Sequence, residues 1–384
     1  MNSMVKAKCA YTKCSTPTRE KSIYCSDKCR IRAAQLAYAN RNAPTNKTTT
    51  AKVEQGMTTE EFEERASKLL TERVPLPPVP AKILATKVED MGFKTAQHAI
   101  ACFSDYHFGS KVDPEVTGGI GGYDVATARY RLTDWRDGVL RFTQMMQTTL
   151  DVPVLHILAL GDDMEGNGHM YGTQAMEMEL SPYFQFLGFV ADMTDVLVSL
   201  QSRFEKIHVY KVFGNHGRMS GSKKDAFDPD NIELMAWQTI AARCELAAPG
   251  KFTFDISPSF FQIVDILGYS FYLRHGDGVN LHATYTGVVE NKLAMNSIVG
   301  QVLNYMVLGH HHTASEREEE IDGDVISNGC FVGPSLLALK MRRPRANRPS
   351  QEMFFVHPDK GITHRHRIHL ASAEEVRDIN IIKR

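Results

Sequence analysis

The stretch Ser104-Asp105-Tyr106-His107 comes directly after the apolar run Ala99–Phe103, which has the length and composition of a β-strand. Four more polar clusters also follow strand-like runs: Gly161-Asp162-Asp163-Met164-Glu165 after Val154–Leu160, Gly214-Asn215-His216-Gly217-Arg218 after His208–Phe213, His275-Gly276-Asp277 after Ser270–Leu273, and Gly309-His310-His311-His312 after Tyr305–Leu308. Sheets of α/β proteins gather their ligands at the carboxyl ends of strands. The repeated arrangement therefore predicts that the clusters converge on one functional site.

Helix-like stretches lie between the first of these runs, around residues 125–149, 173–204 and 231–246. Further along the chain, the strand-like runs Phe261–Ile266 and Ser270–Leu273 follow one another closely. Strands that first alternate with helices and then succeed one another indicate an α/β layered fold. We therefore expect one catalytic domain over residues 83–384.

The clusters combine carboxylate and amide oxygens with imidazoles, and the glycines beside them allow close approach of the backbone. If the chain is extended there, Asp105 and His107 point the same way. By the same argument, His311 points away from its neighbours His310 and His312. Each cluster alone has a plainer interpretation, such as a loop hydrogen bond, a turn, a helix cap or a core imidazole. Together and in this order, they predict a divalent metal site.

The order of the motifs, D-x-H, GD(x)3G, GNH, H and GHxH, resembles that of the calcineurin-like metallophosphoesterases over about residues 97–330. The resemblance implies a four-layer α/β-β-α sandwich around two metal ions. It assigns Asp105, His107 and His312 to one ion, Asn215, His275 and His310 to the other, and Asp162 to a bridging position between them. A carboxylate can bridge two ions that lie about 3.5–4 Å apart, which agrees with the assignment.

The same resemblance leaves His216 free of the metals and close to the leaving group. A metal-bound hydroxide would attack phosphorus, and an imidazole titrates in the range that suits a general acid. We expect Glu165 to orient His216. Because the GDxVDRG motif of the phosphoprotein phosphatases is missing, a Ser/Thr protein phosphatase is disfavoured. Arg218 either replaces the arginine of that motif or makes a surface salt bridge.

The mixed Asn, Asp and His ligands accept several divalent metals. We expect Mn²⁺, with Fe, Zn, Co or Mg as alternatives.

Four of the seven cysteines are spaced as two close pairs near the N-terminus: Cys9, Cys14, Cys25 and Cys29. This spacing suits a tetrahedral structural Zn²⁺. We therefore predict a zinc-finger module over residues 1–38. A linker with one helix and a Pro-rich spacer follows over 39–82. Disulfides are the alternative, disfavoured because no secretory signal is evident. Cys102, Cys244 and Cys330 are expected to be core residues in a reducing compartment.

Residues 1–52 hold 11 Lys and Arg against 2 Asp and Glu, a local charge of +9, so the remainder carries −1 − 9 = −10. Such a basic arm predicts an anionic partner, with a solvated tail as the alternative. A second basic cluster contains Lys340, Arg342, Arg343, Arg345 and Arg348. The glycine-rich loop 118–122 is a third feature that suits a polymeric substrate. A protein-docking finger, a solvated hairpin and an ordinary loop are the corresponding alternatives.

With these features the chain resembles the nuclease branch of the family, which includes the SbcD-type DNA-repair nucleases. We expect a two-metal phosphodiesterase that acts on DNA, with the zinc module recruiting nucleic acid. The alternative is a phosphomonoesterase or a small-nucleotide phosphodiesterase whose finger contacts a protein. A binding module with a vestigial metal core is disfavoured because every expected ligand position is filled. No membrane segment is expected from the sequence, and the default location is the cytoplasm.

Overall fold

The computed structural model describes Glu64, Lys68, Pro78 and residues 95–220, 229–279, 285–318, 323–335, 348–372 and 375–376. The chain divides into two units, Met1–Phe62 and Glu63–Arg384. The predicted zinc module with Cys9, Cys14, Cys25 and Cys29 lies outside the described residues. So do most of the linker and the basic residues Lys340, Arg342, Arg343 and Arg345, and these features remain predictions.

The first sheet has six strands in the order β11-β10-β1-β2-β3-β4. Their bounds are β1 His98–Phe103, β2 Val154–Ala159, β3 Lys206–Lys211, β4 Phe252–Ile256, β10 Ser350–His357 and β11 Gly361–His369. Strands β1 to β4 are parallel. Strand β10 is antiparallel to β1 and β11 is antiparallel to β10. Strand β11 therefore runs in the same direction as β1, so their carboxyl ends lie at the same edge.

The second sheet has five strands in the order β5-β6-β7-β9-β8. Their bounds are β5 Phe261–Ile266, β6 Tyr269–Arg274, β7 Tyr305–Leu308, β8 Ser315–Glu318 and β9 Asp324–Ser327. Strand β7 lies parallel to both β6 and β9. The two sheets pack face to face over one apolar core, to which Cys102 and Leu158 contribute from the first sheet and Phe271 and Val307 from the second.

The described helices are α1 Val125–Met146, α2 Pro182–Leu200, α3 Ile232–Ala247 and α4 Tyr285–Val299. Helix α1 begins after Asp124, whose carboxylate accepts the N–H of Thr127 at 2.7 Å. Helix α3 begins after Asn231, whose side chain accepts the N–H of Glu233 at 2.9 Å. Both are N-caps that satisfy backbone donors of the first turn.

Helices cover both outer faces of the paired sheets. The ring of Phe103 on β1 contacts Trp135 of α1, Phe189 of α2 and Trp237 of α3. On the other side, Met295 and Val299 of α4 pack against the outer core of the second sheet. The layers are therefore helices, sheet, sheet and helix, as the four-layer fold predicted.

The predicted helix over 173–204 is wrong as a single element. The segment contains a short 3₁₀ helix, Gln174–Glu177, and then α2, separated by an extended stretch in which Met178 forms a β-bridge with Ser110. Pro182, at the first turn of α2, has no backbone N–H and its fixed φ suits a helix start rather than a helix interior.

Helix α2 is long and apolar enough to cross a membrane by length and composition, although no such run was expected from the sequence. However, 67% of that apolar stretch is buried inside the protein. A core helix of a globular domain has the same property, so this observation is weak evidence for a membrane span.

Candidate metal centre

The ends of five strands bring all the predicted ligands to one edge of the sandwich. Asp105 and His107 follow β1, Asp162 follows β2, Asn215 follows β3, His275 follows β6, and His310 and His312 follow β7. Among the described residues, three groups of side chains have ligand atoms within 4.8 Å of one another. Two of these groups, Asp105-His107-His312 and Asp162-His275-His310, match the two predicted ligand sets apart from Asn215.

The first group is built around two facing imidazoles. His107 Nε2 lies 3.2 Å from His312 Nε2, and His312 Nε2 lies 3.3 Å from Asp105 Oδ1. The side chains of Asp105 and His107 are buried. Two imidazole nitrogens and a carboxylate that converge in this way suit a divalent cation.

The second group has His275 at its centre. Its Nε2 lies 2.9 Å from Asp162 Oδ2, 3.0 Å from Asn215 Oδ1 and 3.2 Å from His310 Nδ1. The opposite nitrogen, Nδ1, donates to the carbonyl of Leu160 at 2.8 Å. That bond leaves Nε2 unprotonated in the neutral ring, which is the tautomer that a metal needs.

Asp162 lies between the two groups. Its Oδ2 is 2.9 Å from His275 Nε2 and 3.8 Å from His107 Nε2, so a single carboxylate reaches both. Its other oxygen, Oδ1, accepts the backbone N–H of His216 at 2.8 Å. This is the position that a bridging ligand requires.

Glu165 contacts both His107 and His216. Its Oε2 lies 3.0 Å from His107 Nδ1, and its Oε1 lies 3.5 Å from His216 Nδ1. The carbonyl of Glu165 is closer still to His216 Nδ1, at 3.0 Å, and Gln174 Nε2 is 3.3 Å away. Glu165 therefore holds the ring of one predicted ligand and the ring of the predicted acid at the same time.

The ring of His216 packs edge-on against His107, with 4.5 Å between the ring centroids. Burial by itself would lower the pKa of His216. The charge of Asp162 and the hydrogen bond and charge of Glu165 outweigh it and raise the pKa to about 9. In the metal-free protein His216 is therefore protonated near neutral pH, the state of a proton donor.

The ligand-bearing turns are not extended, which corrects one expectation. Asp105 and His107 have φ values of 54° and 45°. Asp162, His310 and His312 also lie in the left-handed region, with φ values between 54° and 66°. The side chains converge because tight left-handed turns aim them, rather than by strand alternation. An L-residue in this conformation costs about 1–2 kcal/mol, and such strain is concentrated at functional sites.

His311 is buried, and its N–H donates to the carbonyl of Gly309 at 2.7 Å within the same tight turn. In an extended chain, the side chain of His311 would point away from those of His310 and His312. Because His310 and His312 are not extended, strand alternation does not set the direction of the His311 side chain.

Two glycines allow the turns after β2 and β3 to touch. A Cβ on Gly161 would lie 2.4 Å from the backbone nitrogen of Gly214. A Cβ on Gly214 would lie 2.1 Å from Asp162 Oδ1. Both distances exclude any larger residue while the backbones stay in place, so the glycines set how closely Asp162 and Asn215 approach.

A buried ion cluster behind these turns was not found from the sequence. The ammonium group of Lys211 donates to Asp163 and, at 2.9 Å, to Glu233. Glu233 also accepts the N–H groups of Asp163 and Gly214. The side chains of Lys211, Asp163 and Glu233 are all fully buried. The cluster thus ties the turn bearing Asp162 to the turn bearing Asn215. A lysine at the end of a buried strand was the available signal.

Arg218 lies beyond His216, and its Nε donates to the carbonyl of Ser220 at 3.3 Å. The glycine-rich loop is anchored by Thr117, whose hydroxyl donates to the carbonyl of Gly121 at 2.7 Å. A Cβ on Gly121 would lie 2.0 Å from the carbonyl oxygen of Pro334, so this part of the loop packs against the body of the domain. Roles for Arg218 and the loop in substrate binding remain predictions.

No family model and no curated protein sequence matches this chain. Solved structures that resemble it include an archaeal phosphodiesterase, at 12% identity over 71% of this chain and 99% of that one, with a TM-score of 0.29. A phosphoesterase from E. coli matches at 16% identity, over 71% and 100%, with a TM-score of 0.30. Vacuolar protein sorting 29 from Cryptosporidium parvum matches at 11% identity, over 71% and 99%, with a TM-score of 0.31.

Proposed function

We propose that this protein is a two-metal phosphodiesterase that cleaves DNA. The observation that carries the proposal is the carboxylate of Asp162, which lies between two sets of convergent ligands and beside His216. The donor set fits divalent ions, because each set combines imidazole nitrogens with carboxylate or amide oxygens. Asp105, His107 and His312 would hold one ion and Asn215, His275 and His310 the other.

When bound, two divalent ions supply Lewis acidity for a water molecule and for the phosphate oxygens. The residues of the chain perform the remaining tasks. Asp162 and the ligand turns fix the reacting groups, because the turns are held by backbone hydrogen bonds such as Asp105 N–H to the carbonyl of Gly161 at 3.0 Å. His216 donates a proton to the departing oxygen. The carbonyl and carboxylate of Glu165 accept from Nδ1 and hold the ring in place, and Gln174 donates to that carboxylate at 2.7 Å. Nε2 is then the nitrogen that gives up the proton.

The choice of DNA rests on the basic segments, the +9 charge of residues 1–52 and the cluster around Arg348. Such segments favour a polyanion, because each contact with a phosphate releases counterions. The predicted zinc module would recruit the nucleic acid. The alternative is a phosphomonoesterase or a phosphodiesterase of small nucleotides, with the finger contacting a protein.

The test uses metal-stripped protein reloaded in turn with Mn²⁺, Fe²⁺, Zn²⁺, Co²⁺ or Mg²⁺. Its substrates are bis-p-nitrophenyl phosphate, p-nitrophenyl phosphate, a cyclic nucleotide, single-stranded DNA, plasmid DNA and RNA. We expect the Mn²⁺ form to hydrolyse the diester and to cut DNA. Cleavage of p-nitrophenyl phosphate or of the cyclic nucleotide with DNA left intact would favour the alternative. Hydrolysis of none of them would refute the enzyme assignment.

A further inference from the structure

A cleft of about 470 Å³ lies between α1 and the carboxyl end of β11, outside the metal centre. Its lining includes three arginines, Arg141 on α1, Arg348 before β10 and Arg367 on β11, together with His369. The side chains of Arg141 and Arg348 are exposed. No hydrogen bond or ion pair joins either of them to another residue that the structure describes. Two guanidinium groups therefore face the cleft with their donors available.

The lining also contains two carboxylates, Asp134 and Glu375, and each accepts a backbone N–H. The Asp134 carboxylate accepts the N–H of Ala371 at 2.8 Å, and the Glu375 carboxylate accepts the N–H of Ser372 at 2.6 Å. Arg367, by contrast, donates to Glu352 at 2.6 Å, so its charge is partly balanced. The basic side chains of the lining, Arg141, Arg348 and Arg367, outnumber its carboxylates, Asp134 and Glu375, and this excess of positive charge favours an anion.

Arg348, Arg367 and His369 line the same cleft and interact electrostatically. Burial lowers the pKa of His369, and the positive charges of Arg348 and Arg367 lower it further. The positive charge of Arg348 also lowers the pKa of Glu375, another residue of the lining, after the hydrogen bond from the Ser372 N–H. An anion placed between these side chains would meet several donors at once, which is the arrangement that binds phosphate best.

The β11 side of the cleft reaches the edge of the first sheet at which the predicted ligands lie. Ile368 of β11 pairs with Gln351 of β10, and the Gln351 amide hydrogen-bonds both backbone groups of Ser104, the residue before Asp105. Strand β11 is two strands from β1, which corresponds to about 10 Å at the usual strand spacing. An extended strand of a few nucleotides covers such a distance.

Arg131 connects the floor of the cleft to the ligand turn. Its Nε donates to the carbonyl of Ala371 in the cleft, at 2.8 Å, and its Nη1 donates to Val332 at 2.9 Å. The N–H of Phe331 in turn donates to the carbonyl of Asp105 at 3.1 Å. The cleft is therefore held at a fixed place relative to the centre rather than carried on an independent loop.

We propose that this cleft binds the phosphodiester backbone of a polynucleotide a few nucleotides from the bond that is cut. The inference rests on the proposed function for the fate of the strand, although the binding itself does not require turnover. Guanidinium groups grip phosphate through paired N–H donors, and two such contacts carry no base sequence information. The cleft would thus position a strand independently of its base sequence.

The test compares Arg141→Gln/Arg348→Gln with a control of equal charge change, Lys206→Gln/Lys360→Gln. Lys206 and Lys360 are exposed and lie at the opposite end of the first sheet, at the start of β3 and just before β11. Binding of Mn²⁺-loaded protein to a fluorescein-labelled 20-nucleotide DNA strand, and to the same RNA strand, is measured at several NaCl concentrations. Hydrolysis of bis-p-nitrophenyl phosphate and binding of inorganic phosphate are measured in parallel.

We expect the arginine variant to bind the strand about tenfold more weakly at low salt. Its slope of log K against log[salt] should decrease by about 1.4, since two lost contacts to a single strand account for about 0.7 each. Hydrolysis of the small diester should stay at the wild-type rate, and the lysine control should bind like wild type. If the arginine variant loses affinity for the DNA strand alone, the cleft binds DNA specifically. If it loses affinity for the RNA strand equally, the cleft binds either kind of strand.

If the arginine variant keeps the wild-type salt dependence and still hydrolyses the small diester, the cleft does not bind the strand. The proposed function would be unaffected. A variant that loses affinity for inorganic phosphate but not for either strand would overturn strand binding by the cleft as well, because the cleft would then be a small-anion site. If the wild-type protein hydrolyses no substrate but its strand binding still depends on the two arginines, the proposed function is refuted. The role of the cleft in strand binding is then supported.

Discussion

Lys211 is fully buried, and its ammonium group donates to Asp163, the residue that follows Asp162. Its second partner, Glu233, is equally buried. Replacing Lys211 with Met would leave two carboxylates facing each other without a counter-charge. We expect the free energy of unfolding to fall by about 3–5 kcal/mol, the usual cost of breaking a buried ion pair. Lys206→Met, on the exposed start of the same strand, should change it by less than about 0.5 kcal/mol. Urea unfolding measures both, and equal effects would show that the ion cluster contributes nothing.

His216→Ala is expected to keep its metals and lose turnover. General acids contribute about 10²- to 10⁴-fold to a rate. The loss should be greatest for substrates with a poor leaving group, such as a DNA strand. It should be smaller for bis-p-nitrophenyl phosphate, whose departing oxygen needs little help from a proton. The measurement is kcat for both substrates together with metal content. The same loss for both substrates would contradict a role in protonation.

The two ligand groups should lose their metals separately. His312→Ala removes a side chain that lies 3.3 Å from Asp105, and His310→Ala removes one that lies 3.2 Å from His275. We expect each variant to retain about one of the two ions, and Asp162→Asn to weaken both sites. Elemental analysis after dialysis counts the ions. His364→Ala, an exposed residue of β11, is the control. If the double variant His310→Ala/His312→Ala retains as many ions as each single variant, both residues serve the same site and the assignment of the ligands is wrong.

Acid should destabilise the protein through His156. This side chain is 4% exposed and stacks between His98 and His208 on neighbouring strands. Burial, and then the adjacent imidazoles, lower its pKa to about 2 from 6.5. Because the unfolded chain takes up this proton first, the stability is complete above pH 6.5 and is lost as the pH falls towards 2. The limiting slope is about 1.4 kcal/mol per pH unit.

His156→Phe keeps the stacking but removes the titration, so it should flatten the dependence of unfolding on pH between 6 and 4. His364→Phe places the same substitution on the surface and should leave that dependence as in wild type. Chemical unfolding at a series of pH values distinguishes the two. An unchanged slope in His156→Phe would mean that other groups control the acid response.

Removal of residues 1–56 should leave the chemistry at phosphorus intact and weaken binding to DNA. The deleted segment carries the predicted zinc module and a charge of +9 over residues 1–52. The salt dependence of DNA binding should therefore become shallower. The kcat for bis-p-nitrophenyl phosphate and the binding isotherm of a DNA strand are compared with those of the full chain. A truncated protein that binds DNA as well as the full chain would favour a protein partner for the finger.

The predicted ligands could be found from the sequence because each follows a short apolar strand that is recognisable on its own. The positions of Asp105 and Asp162 depend only on where β1 and β2 end. The geometry that aims them could not be found in this way. The left-handed φ of Asp105 is imposed by its tertiary contacts, among them the hydrogen bonds of its N–H to Gly161 and of its carbonyl to the N–H of Phe331. No local pattern specifies those partners.

Strands β8, β10 and β11 were not predicted from the sequence, and the reason is their composition. Strand β10 contains as many polar as apolar residues, β11 is mostly polar, and β8 reads Ser-Glu-Arg-Glu. Their place in the sheets comes from pairing with distant strands, as in the alignment of Ala101 with Met353. Intrinsic preferences are weak guides where such cross-strand packing decides the structure. The cleft at Arg141 and Arg367 was missed for the same reason, because it exists only once β11 has joined the sheet.

The predicted ligands His107 and His312 are 205 residues apart, and so are Asp105 and His310. Chain segments this distant meet only after a large loop has closed, which makes their pairing slow. Strand β1, which precedes Asp105 and His107, pairs on one side with β10 from the far end of the domain. The sheet around β1 is therefore incomplete until β10 has been synthesised. We therefore expect ion capture to be a late event in biogenesis. A nascent chain on the ribosome would hold neither ion, and a reactive centre would arise only in molecules that have completed their fold.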